Sequence, residues 1–140
     1  MIKKPTDELM KDLLSSNNIE LYLKENEQHF VNVTIAEFLN EYVNAKQLVK
    51  SQIFKEAEMN EIYGYQIFSA SRTPSRDKLI SLCIGMGMSL DEIQATLKVA
   101  GFAALYPKSK KDSIIIHGIS AGRKVFEINT DLYNNSEESL

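Results

Sequence analysis

Covalent and catalytic signals are scarce in this chain. Among its 140 residues there is one cysteine, Cys83, and no tryptophan. A lone thiol excludes an intramolecular disulfide and a cysteine zinc cluster, so a packed core must do the stabilising. No apolar run approaches the ~20 residues that cross a bilayer, and no membrane partner is expected. Charged residues, not an apolar run, follow Met1-Ile2-Lys3-Lys4-Pro5. No secretory leader is therefore expected, and a reducing cytoplasm fits. His29 and His117 lie far apart, without a second ligand at metal spacing. Gly85-Met86-Gly87 ends an apolar helical pattern instead of following a strand, so it is no phosphate loop. No Cys–His pair or cluster of titratable groups points to catalysis. The expectation is a protein that is not an enzyme and carries no cofactor or metal.

What is present is enough for a small folded domain. Hydrophobic residues make up 44% of the chain, sufficient for a core, and the charged share of 25% is ordinary. The net charge of −3 is not that of a strong non-specific nucleic-acid binder, because phosphate affinity comes from Lys and Arg. Charge is weakly segregated. Residues 50–78 sum to +1, while residues 105–124 sum to +4 through Lys108, Lys110, Lys111, Arg123 and Lys124 against Asp112. Within it Lys108, Lys110 and Lys111 read either as a solvated helix start or as a patch steering nucleic acid or an acidic partner.

Periodicity points to helices almost throughout, hence an all-α fold. Thr6 is a candidate N-cap before Leu9, Leu13 and Leu14, with Asn17-Asn18 as the break. Ile19, Tyr22, Leu23 and Phe30 suggest a second amphipathic stretch. Thr34 to Glu37 forms a capping box ahead of Ile35, Phe38, Leu39 and Tyr42. Two short helices follow, one carrying Ile53, Phe54 and Ala57, the other capped by Asn60. Pro74 closes a loop, and Ser75 caps a helix that Gly87 ends. Ser89 to Glu92 is another capping box, and Gly101 stops its helix. Ser109 caps residues 110–121, Gly122 stops them, and a last helix spans 124–133. Residues after Asn134 are expected to fray. The β-branched run Ile114-Ile115-Ile116 favours a strand locally, but a single strand has no partner, so it is taken as helical.

The densest constellation is KSQIFKEAEMNEIYGYQIFSASRTPSRDK, residues 50–78. Two short helical patterns meet at Met59-Asn60, and a corner Ala70-Ser71-Arg72-Thr73-Pro74 follows. Ile53 stands inward on the first helix, with Pro74 coming 21 residues later and Arg72 two before it. This register resembles the lambda-repressor-like, Cro/C1-type helix-turn-helix family, also called XRE-like. The stretches YGYQIFSASRTPSRDKLISL and KVAGFAALYPKSKKDSIIIHGI are similar to small bacterial regulators of that kind.

The resemblance implies a helix-turn-helix domain over residues 34–104, flanked by helical extensions at 1–33 and 105–140. It implies a supporting helix from Lys50 to Glu58 and a recognition helix from Asn60 to Ser69 in the major groove of double-stranded operator DNA. On that helix Asn60, Glu61, Ile62, Tyr65, Gln66 and Ser69 would face bases and flanking phosphates. Gln66 suits adenine, Glu61 cytosine N4, and Ile62 a thymine methyl. Lys50, Arg72, Arg76 and Lys78 would hold phosphates. Tyr63, Ile67 and Phe68 would point inward. The implied function is transcriptional regulation as a homodimer.

The sequence departs from the family where small or apolar residues are usual: Phe54 replaces an Ala, Glu58 a turn Gly, and Gly64 an apolar residue. Phe54 and Gly64 read as a volume-conserving exchange. Glu58 and Glu61 bring carboxylates to the presumed phosphate approach. They keep a second reading open: the same scaffold serving as a protein-binding adaptor or mobile-element accessory protein.

Overall fold

A computed structural model describes residues 5–27 and 33–140, and all regular structure in them is helical. The helices are α1 (Thr6–Ser15), α2 (Ile19–Glu25), α3 (Ile35–Lys46), α4 (Lys50–Glu56), α5 (Glu61–Phe68), α6 (Arg76–Gly85), α7 (Leu90–Val99), α8 (Lys110–Ser120) and α9 (Val125–Asn134). The chain divides into two compact units, Met1–Asn32 and Val33–Leu140. His29 and Phe30 lie outside the described residues.

In the first unit α1 and α2 form a helical pair. Pro5, not Thr6, takes the N-cap position of α1 and makes no side-chain cap, since Thr6 is already helical. Asn18 caps α2 by accepting from the Leu21 N–H at 3.2 Å. The Tyr22 hydroxyl donates to the Leu9 carbonyl at 3.3 Å, tying one helix to the other.

In the second unit the stop and start signals operate as the chemistry requires. Thr34, Asn60, Ser75, Ser89 and Ser109 each accept a backbone N–H from the first turn that follows. Gly87 and Gly101 lie in the left-handed region at φ 76° and 79°, where a side chain would be strained. α6 is the central helix: Leu79, Ile80, Leu82 and Cys83 are all fully buried. It packs against α4, α7 and α9, while α3 packs on α5 and α7. Asn40 of α3 donates to the Phe68 carbonyl at 2.8 Å, satisfying an end group of α5.

The expected boundary near residue 104 does not divide two cores. Leu105, Ile115, Ile128 and Leu132 belong to the same apolar cluster as Leu39, Phe54 and Leu79. The Ile114–Ile116 run is helical in α8, with Ile115 buried and its neighbours resting on the core. Burial on one helical face outweighs the local β preference. The segment after Asn134 is docked instead of frayed. Leu140 is buried, and its N–H donates to Asn129 Oδ1 at 2.7 Å.

Candidate nucleic-acid interface

α4 and α5 are joined by the short turn 57–60. Its conformation depends on Glu58 at φ 53°, a left-handed residue where glycine would be free of strain. The Met59 N–H reaches back to the Phe54 carbonyl at 2.9 Å, and Ala57 N–H bonds to Ile53 at 2.9 Å. These bonds end α4 sharply. Asn60 Oδ1 then accepts from the Ile62 and Tyr63 N–H groups at 2.9 and 3.2 Å, starting α5 in a new direction.

α5 has a buried and an exposed face, with Tyr63 and Gln66 between them. Gly64, Ile67 and Phe68 are buried. Asn60, Glu61, Ile62, Tyr65 and Ser69 are exposed, Gln66 is half-buried, and Tyr63 is half-buried against the core. Phe54 holds this arrangement from below. Its ring meets Tyr65 edge-on at 4.9 Å between centroids and Phe68 at 5.9 Å.

Cations stand around α5. The Lys50 Nζ lies 4.8 Å from the centre of the Phe68 ring. With Ile62, Tyr65, Gln66 and Ser69, Lys50 lines an open groove of about 510 Å³ along the outer face. Beyond the C-terminal end, Arg72 donates through Nε to Gln66 Oε1 at 2.9 Å and stands 5.4 Å over the Tyr63 ring. Lys78 lines a groove of about 340 Å³ at the other end, with Glu58, Met59, Asn60 and Tyr63. Lys50, Arg72 and Lys78 thus each lie close to α5.

Arg76 does not join them. Its guanidinium forms a two-pronged pair with Asp112, at 3.1 and 2.9 Å, and donates to the Ala103 and Ala104 carbonyls. The planar fork fits a carboxylate, and the 36-residue separation hid that partner from the sequence. Burial by itself raises the Asp112 pKa. The Arg76 hydrogen bonds, the Tyr106 N–H, and the charges of Arg76 and Lys111 outweigh it and hold the carboxyl below its ordinary value. Arg76 therefore clamps α6 to α8, and its guanidinium is engaged there instead of beside α5.

The basic cluster of residues 105–124 is similarly occupied. Lys111 pairs with Asp77 at 2.8 Å, Arg123 with Asp131 at 3.0 Å, and Lys124 with Glu56 at 3.6 Å. Lys110 donates to the Asn135 carbonyl at 2.6 Å. These side chains tie helical termini together at the surface, while Lys108 and Lys110 stay exposed at the start of α8, as a solvated helix start requires. His117 is exposed.

Two strings match nucleophile motifs by letter: Ser75-Arg76-Asp77-Lys78 and Gly118-Ile119-Ser120-Ala121-Gly122. Sequence reasoning passed over both. Ser75 is the N-cap of α6, and Ser120 is the last residue of α8, far from the strand-to-helix elbow the second string serves elsewhere. Among the described residues there is no group of three potential metal ligands, and no helix long and apolar enough to cross a membrane.

No family model matches this chain, no curated protein matches it, and no solved structure matches it.

Proposed function

We propose that α4 and α5 form a lambda-repressor-like helix-turn-helix, and that the protein is a DNA-binding transcriptional regulator acting in the cytoplasm. The observation that carries this reading is the outward row of exposed Ile62 and Tyr65 and half-buried Gln66 on α5, continued by its C-cap Ser69, with Lys50, Arg72 and Lys78 close by. An α-helix enters the major groove when one face offers polar and small apolar groups and cations beside it meet the two backbones. Gln66 and Tyr65 read base edges, Ile62 meets a thymine methyl, and the three cations fix register on phosphates.

One such helix makes too few base contacts for a specific site, so the regulator works as a homodimer. The outer side of α9 supports this: Phe126 and Tyr133 are 53% and 79% exposed, seven residues apart and hence on one face. Selection of duplexes from a randomised pool, followed by titration against the enriched sequence, tests the reading. A sequence-specific complex that weakens with salt is the expected outcome.

A second reading, protein binding by the same scaffold, draws on two features. Glu58 and Glu61 are exposed at the start of α5, facing where phosphate would approach, and Ile62 is 71% exposed. An adaptor role is favoured if the selection enriches no duplex.

A further inference from the structure

The paired helices α1 and α2 leave most of their large apolar side chains in water. Met10, Leu13, Leu14, Ile19, Leu21 and Leu23 are 39–78% exposed, and Tyr22 is the one large apolar residue of these helices that is buried. Met10, Leu13 and Leu14 fall at i, i+3 and i+4, so they form one stripe on α1. Ile19 and Leu23 repeat the i, i+4 spacing on α2. An apolar stripe on two adjoining helices marks a protein–protein site, since scattered single side chains do not line up this way.

Charge decides what fits it. Residues 5–27 carry Asp7, Glu8, Asp12, Glu20, Glu25 and Glu27 against Lys11 and Lys24, a net charge of −4. Asp7 and Glu20 sit beside the stripe, and Glu25 adds charge to the other side of α2. Asp7 lies three residues before Met10 and seven before Leu14, Glu20 three before Leu23, and Glu25 four after Leu21. A second copy would set −4 against −4 across the interface, and juxtaposed like charges disfavour that pairing. An amphipathic helix with Leu-like residues on one side and Lys or Arg along its flanks matches both features.

We propose that the α1–α2 pair is a docking site for a basic amphipathic helix of another protein. This docking does not depend on DNA binding.

The test uses the full chain and two labelled 18-residue helical peptides with the same Leu pattern, one with Lys and one with Glu at every polar position. Fluorescence anisotropy should show the Leu/Lys peptide binding at least tenfold more tightly than the Leu/Glu peptide. Leu13→Ser combined with Leu14→Ser should weaken it tenfold or more. Asp7→Lys with Glu20→Lys, which spares the apolar stripe, should also weaken it and flatten its salt dependence. Equal affinity for both peptides overturns the proposal, as does binding unchanged by both double variants. So does sedimentation showing a dimer that the Leu13→Ser, Leu14→Ser variant abolishes.

Discussion

A β-carbon built on Gly64 would collide with the ring of Phe54, inside any tolerable contact distance. The ring of α4 occupies the space a side chain on α5 would fill, and this contact fixes how closely the two helices approach. Gly64→Ala must displace a fully buried ring wedged against Tyr65 and Phe68. Overpacking costs about 1–3 kcal/mol, and the better helix propensity of Ala returns about 1 kcal/mol. A net loss of about 1 kcal/mol by urea unfolding is expected. In a Phe54→Leu background the same change should cost less, with a coupling of roughly 1 kcal/mol in the double-mutant cycle.

Glu58 sits at φ 53°, in the turn between the two helices. A left-handed conformation costs an L-residue about 1–2 kcal/mol, while glycine forfeits roughly 0.5–1 kcal/mol of chain entropy. Glu58→Gly should therefore raise stability by about 0.5–1 kcal/mol, read from the urea midpoint. It also removes a carboxylate beside Lys78, so affinity for duplex DNA should rise in the same variant.

The Arg76–Asp112 pair is a stability device, and its pH dependence has a definite sign. The Asp112 carboxyl is held below its ordinary value of 3.8. Its contribution is complete above that value and is lost as the pH falls through the lower, folded-state pKa. Asp112→Asn should thus cost most near neutrality and least in strong acid, measured as the gap in unfolding free energy from the unaltered protein. Arg76→Ala leaves a mostly buried carboxylate without its fork and should cost about 3 kcal/mol. It should leave the salt dependence of DNA binding unchanged.

Cys83 is fully buried in α6, and burial pushes its thiol up to about 12. A thiol so far from ionisation reacts only when the helix opens. Labelling with a thiol-specific chromophore should proceed at the rate of unfolding and accelerate with urea.

Much of this arrangement is written in short-range chemistry. The caps at Thr34, Asn60, Ser75, Ser89 and Ser109, the Gly87 and Gly101 stops, and the inward and outward faces of α5 all follow from neighbours a few residues away. The Phe54–Gly64 exchange was legible because one side chain is too large and the other is missing. What was not legible depends on distant partners. Arg76 has a phosphate-binding position in the resemblance, yet Asp112 claims it from 36 residues away. The lysines of α8 look like a basic patch until Asp77 and the Asn135 carbonyl are placed beside them. Leu140 reads as a polar tail's last residue, whereas Asn129 and the core hold it.

Titration of the duplex enriched by selection, at several salt concentrations, tests the central reading most directly. The unaltered protein should bind with a log–log salt slope showing several phosphate contacts. Lys50→Ala or Lys78→Ala should each reduce that slope by about 1. Gln66→Ala with Arg72→Ala should abolish preference for the selected sequence while the helical circular dichroism is unchanged. Failure of the folded protein to prefer any duplex at low salt, or a preference untouched by the Gln66→Ala, Arg72→Ala variant, would contradict it.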